Sequence, residues 1–222
     1  LGMAVIGTAE SVSRINRGAL SSYKGNHYTP SNIVVSLAGL LEHDSLVKRI
    51  KKIFSQRKEK NINTFSPAKQ HQDKPQLNIL PKDTEQTHLA FGFHSFKRNH
   101  PLKHAAGLLH IILGANMSSR LFHELREKRG LAYEIGTQLK RFQDTGAFIV
   151  HAGIDNRKVS EAIKLILGEL VKVKHRLVDP DEFKRAKEFY LGQLMLALED
   201  TLDHMLWIGE STTVLDRTYT LN

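Results

Sequence analysis

Ser118-Ser119-Arg120-Leu121-Phe122-His123-Glu124-Leu125-Arg126-Glu127-Lys128-Arg129-Gly130-Leu131-Ala132-Tyr133 is the stretch that decides the fold. Apolar and charged residues recur at helical spacing as far as Arg129, glycine ends the helix, and an apolar strand opens at Leu131. A helix that breaks at once into a strand places Arg129 and Tyr133 close enough to serve one ligand. A guanidinium offers five donors in a rigid fork and a phenol adds one more, a set that can hold a peptide carbonyl. The local alternative is that Arg129 complements the negative end of its helix while Tyr133 packs its ring. On spacing alone the local reading is the stronger.

Working outward, strands are predicted at 131–141 and 147–154, joined by a hairpin through Gln143-Asp144-Thr145-Gly146. The helix over 158–174 carries one apolar stripe of Val159, Ala162, Ile163, Ile166, Leu167, Leu170 and Val173. Asp179 or Pro180 starts another helix to Glu199, and helical turns extend to Val214. On the other side, Leu89, Phe91 and Phe93 alternate with His88, Ala90, Gly92 and His94, the pattern of a strand covered mainly on one face. Pro101 opens a helix to Leu113, ended by Gly114.

Nearer the start, Thr8 caps a short helix, with Glu10 well placed in its first turn, and a second helix covers 18–27. Asn32 to Gly39 reads as a buried strand, and His43 to Phe54 as a helix with Leu46, Val47, Ile50 and Phe54 on one face. Residues 55–85 are polar, with Pro67, Pro75 and Pro81 interspersed, and read as a linker in which Ile79 and Leu80 add an edge strand. The predicted layout is therefore 1–54, a linker over 55–85, and 86–222. The order β–α–α–β–β–α–α predicts an α+β fold, helices layered on a largely antiparallel sheet.

The chain has 222 residues, no cysteine and a formal charge of +9. Disulfide scaffolds, thiolate zinc sites and cysteine nucleophiles are excluded together. The longest apolar run, Ile33 to Leu41, is broken by Ser36 and Gly39 and is far shorter than the ~20 residues of a membrane span. The basic cluster of Lys51-Lys52 and Arg57-Lys58-Glu59-Lys60 lacks stacking aromatics and a reading element, so it is read as a solvated surface and no nucleic-acid partner is expected. No signal peptide is visible at the start, and the opening Leu1-Gly2-Met3 suggests a fragment or processed product.

Residues 118–133, with Leu113-Gly114-Ala115-Asn116-Met117 before them, closely resemble the signature of the insulinase/pitrilysin family of zinc peptidases, which includes mitochondrial processing peptidase. The match is to the second homologous half, which helps hold substrate, and Leu1 to Thr8 and His27 to Asn32 also look like family segments. The resemblance implies that 1–54 is the end of the first, zinc-bearing half and 86–222 a truncated second half, the non-zinc one. It implies a zinc-dependent endopeptidase as the intact protein, with Zn held outside this chain and two halves enclosing a chamber. Its expected partners are a peptide substrate and a zinc-bearing half or homologous subunit, in a dimer. The short Gly114–Met117 loop resembles a bacterial-type enzyme half more than a presequence-gripping subunit. The same resemblance makes Arg129 and Tyr133 substrate-binding residues and leaves no catalytic residue here.

Such peptidases are expected to use His-x-x-Glu-His on a helix. None of the twelve histidines begins that motif or His-Glu-x-x-His, so no metal ligand is assigned and the 222 residues alone are expected to be inactive. His123 to Glu127 is the nearest miss and reads as a polar helix face with intrahelical ion pairs. His100 and His104, at i and i+4, read as surface histidines, and His88 and His94 as half-buried ones. The alternative function is a non-catalytic structural or regulatory subunit of the same family.

Overall fold

Period-two alternation produces three strands, β1 (Gln86–Ser95), β2 (Ala132–Arg141) and β3 (Gly146–Asp155), in one antiparallel sheet of order β1-β3-β2. The helices are α1 (Ala9–Ser13), α2 (Arg17–His27), α3 (His43–Phe54), α4 (Lys103–Gly114), α5 (Val159–His175), α6 (Pro180–Glu199) and α7 (Thr201–Leu215). This computed structural model describes residues 5–55, 65–69 and 72–216. It is the expected α+β architecture. The chain divides into one unit of 1–66 with 199–222 and another of 67–198. Helix α7 thus groups with the first unit, whereas the sequence layout placed it in the second block.

In the unit of 67–198 the sheet buries one face. Phe148, Val150, Ala152 and Ile154 on β3 and Ile135 on β2 join Leu113, Leu121, Leu125, Ala162 and Ile166 from the helical side, with Leu89 and Phe91 of β1 packed against them. Val150, Ile154, Leu125 and Ile166 are fully buried, each stabilising by roughly 1.5–3 kcal/mol relative to exposure. Helix α6 packs on α4 through Ala186 and Tyr190 against Ile111 and Ile112. Gly114 lets the end of α4 approach β2, since a Cβ there would lie 2.8 Å from Thr137 N. The hairpin closes with Phe142 N–H donating to the Thr145 carbonyl at 2.8 Å.

The α5 stripe differs from the pattern in two places. Leu167 is 43% exposed, while Glu169 is buried and pairs with Lys172 at 2.5 Å. Glu169 follows buried Ile166 on the same face, beside half-buried Leu170 and Val173, and its charge is tolerated because it is paired.

In the other unit the Thr8 cap forms as expected, with Ser11 N–H donating to Thr8 Oγ1 at 3.1 Å. Helix α3 spans the expected residues. The strand expected over 32–39 does not form: the backbone has no ladder partner among the described residues, and Val34, Val35 and Leu37 are 43–47% exposed. A β-rich composition makes a strand only when another strand lies beside it. Ser36 Oγ instead donates to the Met205 carbonyl of α7 at 2.8 Å. Ile79 and Leu80 likewise form no edge strand and remain exposed.

Candidate substrate-binding site

The helix leading to Gly130 widens in its middle. Phe122–Glu127 is π-helical, and Lys128 N–H donates to the His123 carbonyl at 3.0 Å. In an α-helix, residues five apart point ~140° away from each other. Bonding from i to i+5 sets them side by side instead. Glu124 therefore meets Arg129, five residues on, as well as Lys128, four residues on: Arg129 Nη1 donates to Oε2 at 2.5 Å and Lys128 Nζ to Oε1 at 2.5 Å. The same Nη1 donates to Glu124's own carbonyl at 3.0 Å. Hydrogen bonds from Lys128, then Arg129, hold the Glu124 carboxyl down at about 2, so it is an anion at neutral pH.

Gly130 ends the turn in the left-handed region, at φ +56°. Its N–H donates to the Arg126 carbonyl at 3.1 Å, and Leu131 N–H to the Leu125 carbonyl at 2.8 Å. This nested pair is a glycine closure of the Schellman kind, one residue wider because the turn is π-helical. Together with the Glu124–Arg129 contact, it satisfies carbonyls that a helix end leaves open. The turn is anchored below by fully buried Leu121 and Leu125, and at its start by Arg120, which donates to both Glu182 oxygens at 2.8 and 2.5 Å.

Beyond Gly130, β2 carries a bulge between Ala132 and Glu134. Tyr133 is the extra residue, and its side chain is 65% exposed. Arg129 and Tyr133 therefore flank one glycine turn. Among the described residues no hydrogen bond joins them. Arg129 commits Nη1 to Glu124, and among the described residues its guanidinium makes no other hydrogen bond. Arg126, exposed with its guanidinium 5.1 Å above the Phe122 ring, has no ion pair among the described residues. The Glu124–Arg129 contact escaped the sequence reading because it spans five residues of a π turn that the helical pattern does not announce.

The histidines go elsewhere. His123 Nδ1 pairs with Glu127 at 2.5 Å across the turn, the intrahelical pair expected there. His100 is not on a helix face with His104: it precedes α4, stacks on Phe96 at 4.1 Å and accepts from Leu102 N–H at 3.1 Å. His104 lies 3.2 Å from the Tyr190 hydroxyl. His88 and His94 are exposed rather than half-buried, on the outer sheet face. On that face His151 lies over Gly136, 3.4 Å from Glu134, with its Nδ1 buried and unpartnered. His110 bonds Thr137 Oγ1 at 2.7 Å, and burial, then Arg141, lowers its pKa below 6.5. Among the described residues no group of three His, Asp or Glu is placed to hold a metal, so these residues do not fit a zinc ion.

Residues 14–190 match the Peptidase M16 inactive domain. An uncharacterized zinc protease of Mycobacterium bovis is 35% identical over 214 residues, covering 95% of this chain and 49% of its own length. The crystal structure of a peptidase M16 inactive domain from Pseudomonas fluorescens superposes with a TM-score of 0.82 at 21% identity, over 96% of this chain and 50% of that one. A chain of Complex III2 from Candida albicans does so with a TM-score of 0.77 at 18% identity, over 99% and 54%. At such identities the two structures speak for the fold alone. The chain belongs to the Peptidase M16 inactive-domain family, in agreement with the resemblance carried by residues 113–133. It spans about half the length of the relatives it matches.

Proposed function

We propose that this chain is the substrate-holding portion of a zinc-dependent endopeptidase. In this reading 1–54 ends the zinc-bearing half, 55–85 connects, and 86–222 belongs to the second half. The carrying observation is the turn at Gly130: it is flanked by an exposed guanidinium, Arg129, and an exposed phenol at a bulge, Tyr133, in a family whose relatives are named zinc proteases. The zinc, its ligands and the hydrolytic chemistry belong to the other half. This chain's own residues bind and orient a peptide and help close the chamber. Arg129 and Tyr133 donate to a peptide carbonyl from the side facing away from the core. Arg126 is a second guanidinium on the same turn, and with no ion pair among the described residues it is a competing donor for the same role.

The partners proposed are a peptide or small protein and a zinc-bearing half, in the same chain or in a paired subunit. The test is reconstitution. Mixing this chain with a zinc-bearing half is expected to give cleavage of a quenched fluorescent peptide that neither supplies alone. Activity of the zinc-bearing half that is indifferent to this chain would refute the reading.

A second reading, a non-catalytic structural or regulatory subunit of the same family, draws on one observation: the family model that matches is described as an inactive domain. It predicts association with a partner and no gain of hydrolysis in the same mixture. No helix among the described residues is long and apolar enough to cross a membrane.

A further inference from the structure

We propose that the seam where α4 meets β2 and α6 is a pH-sensitive switch, closed while His104 and His110 are neutral and loosened when both carry charge beside Arg141. The switch does not depend on any contact of the turn at Gly130 with substrate. Arg141, at the end of β2, reaches across α4, where its Nη2 donates to the Lys103 carbonyl at 2.8 Å. Gly107 makes room for it: a Cβ there would lie 3.3 Å from Arg141 Nη2 and 3.4 Å from the Tyr190 hydroxyl of α6. The Arg141 Nε is shielded from solvent without an acceptor, and among the described residues Arg141 makes no ion pair. A cation lodged in this way has no carboxylate to offset a second charge beside it.

Two imidazoles border it. His110 is half-buried, and its Nδ1 lies 2.7 Å from Thr137 Oγ1. The Thr137 hydroxyl has a single proton and gives it to the His110 carbonyl at 3.1 Å, which assigns the ring proton to Nδ1. A further proton must enter at Nε2, and burial, then Arg141, oppose the charge it brings. His104, at the exposed rim, lies 3.2 Å from the Tyr190 hydroxyl, and partial burial, then Lys103 and Arg141, oppose its charge. The groups facing the pair are Lys103 on α4, Thr137 and Arg141 on β2, and Tyr190 on α6, with no acid among them. Both histidines are lowered below 6.5, so the stability carried by their neutral rings is complete above 6.5 and is lost as pH falls below it. Buried Ile111, Ile112 and Leu113 anchor the second half of α4, which confines the loosening to the first half.

The experiment is hydrogen exchange by mass spectrometry on the full-length protein at pH 7.5 and 5.5. Peptides covering the first half of α4 are compared with peptides from α5, each rate divided by the intrinsic rate at its pH. The variants are Arg141→Met and the double His104→Asn/His110→Asn. Wild type is expected to lose protection in α4 severalfold at the lower pH while α5 holds. The ceiling is about tenfold for each histidine, because pH 5.5 lies one unit below the unfolded value of 6.5. The double variant is expected to abolish this difference and Arg141→Met to reduce it, a change of pH profile that a merely structural role would not produce. Equal α4 protection at both pH values, or an equal loss in α5, overturns the proposal. So does either variant that keeps the full wild-type difference. Should a variant fail to fold, the single His110→Asn takes its place, and an unchanged difference there overturns the proposal as well.

Discussion

Glu124→Gln removes a negative charge from between two cations, and the effect on stability depends on pH with a sign fixed by the clamp. The carboxyl is lowered from 4.5 to about 2 in the folded chain. A shift of that size corresponds to a ceiling of about 3 kcal/mol. Lys128 and Arg129 are 50% and 38% exposed, so solvent screens both pairs and about 1–1.5 kcal/mol is the realistic contribution. Because the folded-state value is depressed, the contribution is complete above the unfolded value of 4.5 and is lost as pH falls through about 2. The assay is amide hydrogen exchange at Lys128, Gly130 and Leu131, whose N–H groups close the turn. At pH 6, Glu124→Gln is expected to lose about 5–10-fold of protection at these amides relative to wild type. At pH 2.5 the difference should shrink to about a quarter of its free-energy value, since the wild-type carboxylate is by then partly protonated. Equal loss at both pH values, or none at pH 6, would show that the charge does not hold the turn.

Ile154→Ala, at a fully buried position near the end of β3, is expected to cost about 3–4 kcal/mol in denaturant unfolding of the second unit's sheet signal. Gly114→Ala sets a methyl 2.8 Å from Thr137 N and Cγ2, so a loss of about 1–3 kcal/mol is expected, and partial recovery with Thr137→Ser would identify the clash. His110 should titrate by NMR with a midpoint below 6.5, because burial and then Arg141 oppose its charge. With the folded value lowered, its neutral form contributes stability that declines as pH falls below 6.5, and a midpoint above 6.5 would contradict the packing described.

Much of the second unit was legible because local signals agree with tertiary ones there. The alternation over 87–94 and 147–154, the Gln143–Gly146 turn and the α5 period each satisfy their own burial, so pattern and structure coincide. Asn32–Gly39 failed for the converse reason. Its β-branched residues state a preference, but a ladder needs a neighbour, and none of the described residues supplies one. In the site, glycine announced the turn at Gly130, and Tyr133 followed from the strand start. The π widening was hidden, since Phe122–Glu127 has ordinary helical composition and the extra residue is accommodated by Leu125 and Leu121 locking into the core. That widening sets Glu124 against Arg129, five residues on, which no i,i+4 pattern foretells.

The most direct measurement is the KM of the full-length protein for one neutral peptide, compared among wild type, Tyr133→Phe, Arg129→Ala and Arg126→Ala. The account predicts that Tyr133→Phe and at least one of the two arginine variants weaken peptide capture about tenfold or more. Wild-type KM and kcat in all three variants would mean that the turn at Gly130 touches no substrate.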